Sequence, residues 1–316
     1  MTLVFFGSGA FGRATLAALV AAGFLPPLVV TQPARRRRRR GKPEPTPVER
    51  LALESGCAVF APASVNDDDA LERLRATAAD LFVVAEYGQI LGRALLEIPP
   101  SGAINVHASL LPRHRGATPV AAAILAGDTE TGITIQRVVR KLDAGPVLAA
   151  RAVPVLPEDD AGSLTARLAT LGGELAVEVV RAFAAGSPPP ERPQDEAQVT
   201  TCRRLRPGDA WVDWTRSAIE IERFVRALRP EPGAHARLDR DPPLDLQLLQ
   251  ARPVDGEGVP GVLEGVERAF FDVGTGSGLL RILEVVPASR KPMTARAFLN
   301  GYRLTRGERF LRTGDR

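Results

Sequence analysis

From Thr2 to Ala85 the chain alternates short apolar runs, TLVFF, PPLVVT, CAVF and DLFVVA, with segments of helical spacing such as ATLAALVAAG and PVERLALES. Runs that short and apolar suit strands buried on both faces, and the segments between them are long enough to carry the chain back across a sheet. A strand returned by a helix pairs in parallel with its predecessor. The pattern therefore predicts an α/β domain on a doubly wound, Rossmann-like parallel sheet. GITIQRV and PVLAARAVPV read as two further strands, and SLTARLATLGGELAVEVVRAFAAG as one long helix capped by Ser163.

A change of composition ends this domain near residue 190. Gly186 opens SPPPERPQDEAQ, whose prolines and polar residues mark a linker over 191–206. Beyond it, TRSAIEIERFVRALRP has the spacing of a helix, while LDLQLLQARPV, GVPGVLEGVE, AFFDVG and GLLRILEVVP are short strands punctuated by glycine and proline. They predict a second domain over 207–316, a small OB-like β-barrel. Two domains suit a length of 316 residues. With 45% hydrophobic but only 5% aromatic residues, Ala, Leu and Val must build the cores. Cys57 and Cys202 stand far apart, with neither disulfide nor metal-ligand spacing, and a reducing cytoplasm is expected. Arg13 is the only charge before Thr31, yet GSGAFG breaks the apolar centre that a signal peptide or spanning helix needs. A soluble protein with no membrane partner is the expectation.

Gly7, Gly9 and Gly12 form G-x-G-x-x-G between a strand and a helix, the fingerprint of a dinucleotide site. That site also needs an acidic residue about 20 positions on, where this chain has VVTQPARR. The glycines are therefore assigned to close packing of a helix on its strand, and NAD is rejected as a cofactor.

Residues 104–116 read INVHASLLPRHRG. In an extended segment Asn105 and His107, at i and i+2, leave the same face, which pairs an amide donor for a developing oxyanion with a candidate general base. An ordinary buried strand is the alternative for so short a pattern. Asp143, in KLDAGPV, reads from its own surroundings as a turn aspartate. Tyr87 to Leu91 follow DLFVVA and leave the sheet at its carboxyl edge, either as the rim of a site for a flat ring or as a packed strand-to-helix turn. Arg35 to Arg40, then Gly41 and Lys42, put seven cations in eight residues. The chain has 41 basic against 37 acidic residues, net +4; without these seven it has 34 against 37, net −3. The whole basic excess is thus local, in a loop following the second strand. It is either a solvated tract or a phosphate-binding surface.

NVHASLLPRHRG, ILAGDTETGITI and LDAG together resemble the signature of the methionyl-tRNA formyltransferases, within the wider folate-dependent formyltransferase family. The likeness continues through AEYGQIL, RLRPGDAWVDW, FVRALRPEPGA and RKPMTARAFLNG. It implies transfer of a formyl group from 10-formyltetrahydrofolate to the α-amino group of methionine on initiator Met-tRNA, with no metal, by a catalytic set of Asn105, His107 and Asp143. It implies a folate site at Ser109, Leu110, Leu111 and Pro112 and at the backbone of Tyr87, Gly88, Gln89, Ile90 and Leu91. It assigns tRNA contacts to Arg35, Arg36, Arg37, Arg38, Arg39, Arg40 and Lys42, in a basic loop over 33–47, and to the C-terminal domain; a monomer is expected. The chain departs from the family where Ser8-Gly9 replace a Thr-Pro, where the basic loop is an unbroken arginine run, and at His114, which replaces the commonest Trp. His114 is expected at a surface or RNA-side position, and His235 to be structural. Formyltransferases of sugar amines or other small amines, and formyl-folate hydrolases, would share the catalytic set. A nucleic-acid-binding module with a vestigial enzyme fold is the reading from another class. The arginine loop and RKPMTARAFLNG favour tRNA.

Overall fold

The computed structural model describes residues 1–34 and 43–311, so the expected tRNA contacts Arg35–Arg40 and Lys42 lie outside the described residues. The chain divides into two compact units, the first comprising Met1–Pro119, Glu130–Pro154 and Leu164–Arg203, the second Val120–Thr129, Val155–Ser163 and the chain from Arg204 onward. In the first unit, β1 (Leu3–Gly7), α1 (Ala10–Ala21), β2 (Leu28–Val30), α2 (Pro47–Glu54), β3 (Ala58–Phe60), α3 (Asp68–Arg75), β4 (Leu81–Ala85), α4 (Arg93–Leu96) and β5 (Ala103–His107) follow the predicted alternation. A short β6 (Arg115–Gly116), β7 (Glu130–Arg137), β8 (Val147–Pro154), the long helix α6 (Ala161–Ala184) from Leu164 onward and β9 (Thr201–Cys202) complete this unit, while α5 (Pro119–Ala126), between β6 and β7, falls from Val120 in the second.

The main sheet has the order β3-β2-β1-β4-β5-β7-β8. Its first five strands are parallel, each returned by a crossover, whereas β7 and β8 are joined by a direct turn and so run antiparallel. Every residue of β1 and β4 is buried, as befits central strands covered on both faces. On one face Phe6 packs against Phe82, ring centroids 5.0 Å apart, and edge-on to Tyr87 at 5.5 Å, in a cluster with Val4, Val30, Leu74 and Leu95. Fully burying a side chain of this size contributes about 1.5–3 kcal/mol. The cap of α6 differs from expectation: the helix starts at Ala161, and the Asp160 carboxylate accepts from Ser163 N at 2.7 Å while Ser163 Oγ accepts from Asp160 N at 3.1 Å. Ser163 thus answers the cap rather than forming it.

The second unit holds α7 (Ala218–Ala227), β10 (Ala234–Leu238), β11 (Leu244–Val254), β12 (Leu263–Val266), β13 (Phe271–Gly274), β14 (Leu279–Pro287), β15 (Met293–Thr294) and α8 (Ala295–Tyr302). Its antiparallel sheet runs β10-β11-β14-β13-β12, with β15 on β14. Among the described residues the strand ladders form an open path rather than a closed barrel. The segment Glu308–Leu311 makes single bridges to both sides, Leu238 with Phe310 and Val262 with Arg309. Alternate residues Ala234, Ala236 and Leu238 face the core, joined there by Ile221 and Val225 of α7 and Phe298 of α8. Ser217 caps α7 in a reciprocal arrangement with Glu220.

At the turn between β1 and α1, a Cβ on Gly9 would lie 2.1 Å from the Glu86 carboxylate and one on Gly12 2.5 Å from the Ala85 carbonyl. Glu86, at φ +53°, turns its side chain back so that Oε2 accepts from Phe11 N at 3.0 Å and Gly12 N at 3.3 Å. The helix N-terminus, where a dinucleotide fold places pyrophosphate, is thus filled by the chain's own carboxylate. Burial raises the Glu86 carboxyl above the ordinary range, against the lowering effect of these two donors. Gly9→Ala should cost about 1–3 kcal/mol in urea unfolding, because the new methyl either crowds the carboxylate or displaces it from its donors. In a Glu86→Ala background the same substitution should cost less, and an unchanged cost would refute this account of the turn.

Candidate active site

β5 ends at the carboxyl edge of the sheet between β4 and β7, with Asn105 in register with Val84 on one side and Gln136 on the other. Asn105 is half-buried and His107 buried, 6% exposed. Asp143 arrives from the connection between β7 and β8. The turn that delivers it is tight. Asp143 adopts φ +49°, a left-handed conformation that aspartate tolerates at a cost of about 1–2 kcal/mol, and a Cβ on Gly145 would stand 1.9 Å from the Arg137 carbonyl. The glycine of LDAG is therefore required by close backbone approach.

These elements bring the three residues together. Asn105 Nδ2 donates to Asp143 Oδ1 at 3.4 Å, and His107 Nδ1 lies 3.7 Å from the same oxygen. Two further donors hold the carboxylate: Gln136 Nε2 reaches Oδ1 at 3.0 Å and Gly116 N reaches Oδ2 at 2.9 Å. His107 Nε2 lies 3.0 Å from the His114 carbonyl, which can only accept, so Nε2 carries the proton and Nδ1 is the basic nitrogen of the neutral ring. Burial lowers the His107 pKa below the ordinary imidazole value, although Asp143 and the His114 carbonyl pull it upward. The result is a neutral base whose free nitrogen faces a carboxylate able to stabilise the imidazolium once a proton arrives.

The residues expected at a folate site lie along the same edge, because β4 and β5 are adjacent and parallel. Ser109 is buried, with Oγ donating to the Arg113 carbonyl at 2.7 Å; Leu110, Leu111 and Pro112 are half-buried, and Leu111 N donates to Thr134 Oγ1 at 3.1 Å. After β4, the side chains of Tyr87 and Leu91 enter the core, Gln89 accepts from Val65 N at 2.8 Å, Gly88 turns at φ +89° and Ile90 is 77% exposed. The Tyr87 carbonyl accepts from Ser8 Oγ and Gln32 Nε2.

His114 is a correction. It is buried, at φ +57°, with its main-chain N–H donating to Thr200 Oγ1 at 2.8 Å and its main-chain carbonyl serving His107, rather than at a surface position. His235, on β10, has Nε2 at 3.2 Å from the Pro232 carbonyl. Sequence reasoning did not single out Gln136, Arg115 or Gln194. Gln136 was detectable as the register partner of Asn105 once β7 was placed beside β5, but Gln194 sits in a segment read as linker. That segment, 191–203, belongs to the first unit, where β9 pairs with β6 and Arg192 bridges Val147. Arg115 and Lys141 hold the Glu196 carboxyl down at about 2. Among the described residues no group of three or more His, Cys, Asp or Glu could hold a metal ion, and no helix is long and apolar enough to cross a membrane.

With three histidines in the chain, imidazole nitrogen NMR can follow His107 directly. It should titrate below about 6.5, with Nε2 protonated in the neutral ring, and Asp143→Asn should lower the midpoint further by removing the carboxylate that favours the charged form. Because a depressed histidine pKa favours the folded state above the unfolded value and loses that contribution as pH falls, stability should drop below about pH 6.5 less steeply in His107→Gln. A His107 midpoint above 6.5 would overturn the assignment of a neutral base.

The formyl transferase family model matches residues 1–180, and that of the formyl transferase C-terminal domain matches residues 204–303. The chain is 44% identical to the methionyl-tRNA formyltransferase of Chloroflexus aggregans over 302 residues, covering 95% of this chain and 97% of that protein. It is 41% identical to the methionyl-tRNA formyltransferase of Aromatoleum aromaticum, covering 98% and 97%. Among solved structures, the N-formyltransferase of Helicobacter canadensis, in complex with folinic acid and dTDP-3-aminofucose, shares the fold with a TM-score of 0.66 at 15% identity, over 89% of this chain and 98% of that one. HypX of Aquifex aeolicus, in complex with tetrahydrofolic acid, does so with a TM-score of 0.61 at 17% identity, over 95% of this chain and 47% of the other. With both domain models matched and near-complete coverage at these identities, the chain belongs to the methionyl-tRNA formyltransferase family.

Proposed function

We propose that the protein transfers the formyl group of 10-formyltetrahydrofolate to the α-amino group of methionine on initiator tRNA, producing formylmethionyl-tRNA. The observation that carries this reading is the convergence of the Asn105 amide and the neutral His107 ring on one carboxylate, that of Asp143, at the carboxyl edge of the sheet. The neutral amine attacks the formyl carbon, and the carbonyl oxygen becomes an oxyanion to which Asn105 donates. His107 Nδ1 takes the amine proton, directly or through water, as the C–N bond forms, and Asp143 offsets the charge on the ring. Collapse of the tetrahedral intermediate breaks the bond to N10 of the folate, which leaves with the proton that His107 took from the amine, returned directly or through water, so that the ring is neutral again.

The folate is assigned to the backbone of Tyr87–Leu91 and to Ser109–Pro112. Two features support this: both segments leave neighbouring strand ends, and Ile90, Leu110, Leu111 and Pro112 offer apolar surface to a pterin. The tRNA is assigned to Arg35–Arg40 and Lys42 and to the C-terminal domain. β2 ends at the same edge of the sheet as β1 and β4, which supports a phosphate-binding role for the segment that follows it. A monomeric cytoplasmic enzyme is the accompanying expectation.

Alanine at Asn105, His107 or Asp143 should lower turnover at least about 100-fold while leaving tRNA affinity near normal. Wild-type turnover of His107→Ala in a labelled formyl-transfer assay would sink the assignment. The same assay, with Met-tRNA, uncharged tRNA and a free sugar amine as competing acceptors, separates the tRNA reading from the small-amine one.

Replacing Arg35–Arg40 with Gly and Ser should raise the KM for Met-tRNA and flatten its salt dependence, since each lost phosphate contact lowers the log–log slope by roughly 0.7–0.9. Folate affinity should not change. An unchanged KM and salt slope would leave the arginine run without a role in tRNA binding.

A further inference from the structure

Arg115 is 3% exposed and reaches Gln194 Oε1 with both Nε, at 3.0 Å, and Nη2, at 2.8 Å. A guanidinium only donates, so the Gln194 oxygen must face it and the NH2 group must face the other way. There Gln194 Nε2 lies 2.9 Å from the Asp143 carbonyl, 2.7 Å from the Gly145 carbonyl and 3.2 Å from Gln136 Oε1, so its two hydrogens are shared among three acceptors. The Gln136 oxygen is thereby engaged, which leaves its own NH2 group to donate to Asp143 Oδ1 at 3.0 Å. Gln136 is 2% exposed, so water does not readily substitute for either partner.

We propose that Gln194 is a positioning residue for catalysis: it relays the donor polarity of Arg115 through Gln136 to the Asp143 carboxylate and ties the left-handed turn at Asp143 by two backbone carbonyls. One end of the chain of bonds can only donate and the other can only accept, so both amides have a single satisfactory orientation. Gln194 holds the main chain of Asp143, while Gln136 holds its side chain. Together they set where the carboxylate stands relative to His107 and Asn105. Glu196, from the same segment, ties Arg115 Nη2 and Lys141 Nζ at 2.8 Å each, which anchors the donor end of the relay. The proposal rests on the catalytic reading of Asp143.

The test compares Gln194→Glu with Gln194→Met in the full-length enzyme. Glutamate preserves the contact with Arg115, and so any role in fastening the segment, but presents only acceptors to the Asp143 and Gly145 carbonyls and to Gln136. Both variants should lower kcat about 10- to 100-fold with KM for Met-tRNA and for the folate unchanged, as expected for a misplaced catalytic group. Gln136→Met should do the same, and the Gln136→Met/Gln194→Met double variant should lose little more than either single one, because the two act in series. Wild-type kcat in Gln194→Glu overturns the relay, as does a double variant whose losses multiply. Asp143→Asn measured alongside separates the two levels: if it is inactive while Gln194→Glu is normal, only the relay fails, and if both are fully active the catalytic reading fails with it.

Discussion

A carboxylate withdrawn almost wholly from water, the Asp143 side chain being 9% exposed, is the constraint from which the rest of this site follows. Removing an ion from water costs several kcal/mol unless donors surround it. Asp143 is given an amide from β5, an amide from β7 and a main-chain N–H from Gly116, and each donor dictates something about the chain around it. The amides must come from strands in register, which they do as cross-strand partners. The turn must bring the aspartate back over the strand ends, hence its left-handed backbone and the glycine two residues on. What results is an anion that is costly to bury and valuable for the same reason, because it lets a desolvated imidazole accept a proton in a place where an imidazolium alone would be disfavoured.

The same edge of the sheet explains how a glycine-rich turn can exist without a nucleotide. Helix N-termini attract anions through their unpaired N–H groups and aligned peptide dipoles. Here the attraction is satisfied internally, by Glu86, and the glycine that would admit a phosphate instead makes room for a carboxylate. The fingerprint and the fold are those of dinucleotide sites, and one residue after β4 redirects them. The strand ends beside that filled position remain open, and they carry the segments proposed above for the folate-derived formyl donor.

Much of the fold was legible because central parallel strands leave no choice of side chain: TLVFF and DLFVVA are apolar on both faces and cannot be surface strands. Asn105 and His107 were legible as a pair because the period of a strand is two. Asp143 was not, since its own neighbours describe a turn, and only the resemblance joined it to the histidine. His114 was misplaced for a related reason. Arg113 is exposed, whereas His114 and Arg115 are buried, and what holds them is distant: the His114 main-chain N–H donates to Thr200 and the Arg115 guanidinium to Gln194. Ser163 was misjudged by a few residues because Asp160 and Ser163 form a reciprocal cap in which either could be taken for the first member. In each case the deciding partner was distant in sequence or two side chains with a capping oxygen stood within one turn.

The segment at 191–203 shows why composition is a weak guide to such stretches. Prolines and polar residues describe a linker when water is the partner. They equally describe a strap when the partner is a set of carbonyls and a guanidinium that would otherwise be buried without bonds. A strap of this kind needs few apolar groups, since its contribution is hydrogen bonding and not burial, and it therefore leaves no periodicity to read. Gln194 meets Arg115 across 79 residues and the Asp143 carbonyl across 51. Thr200 reaches His114 across 86. Because these bonds close on the loops that carry the proposed catalytic groups, side chains outside every recognisable motif hold the chain around residues inside one.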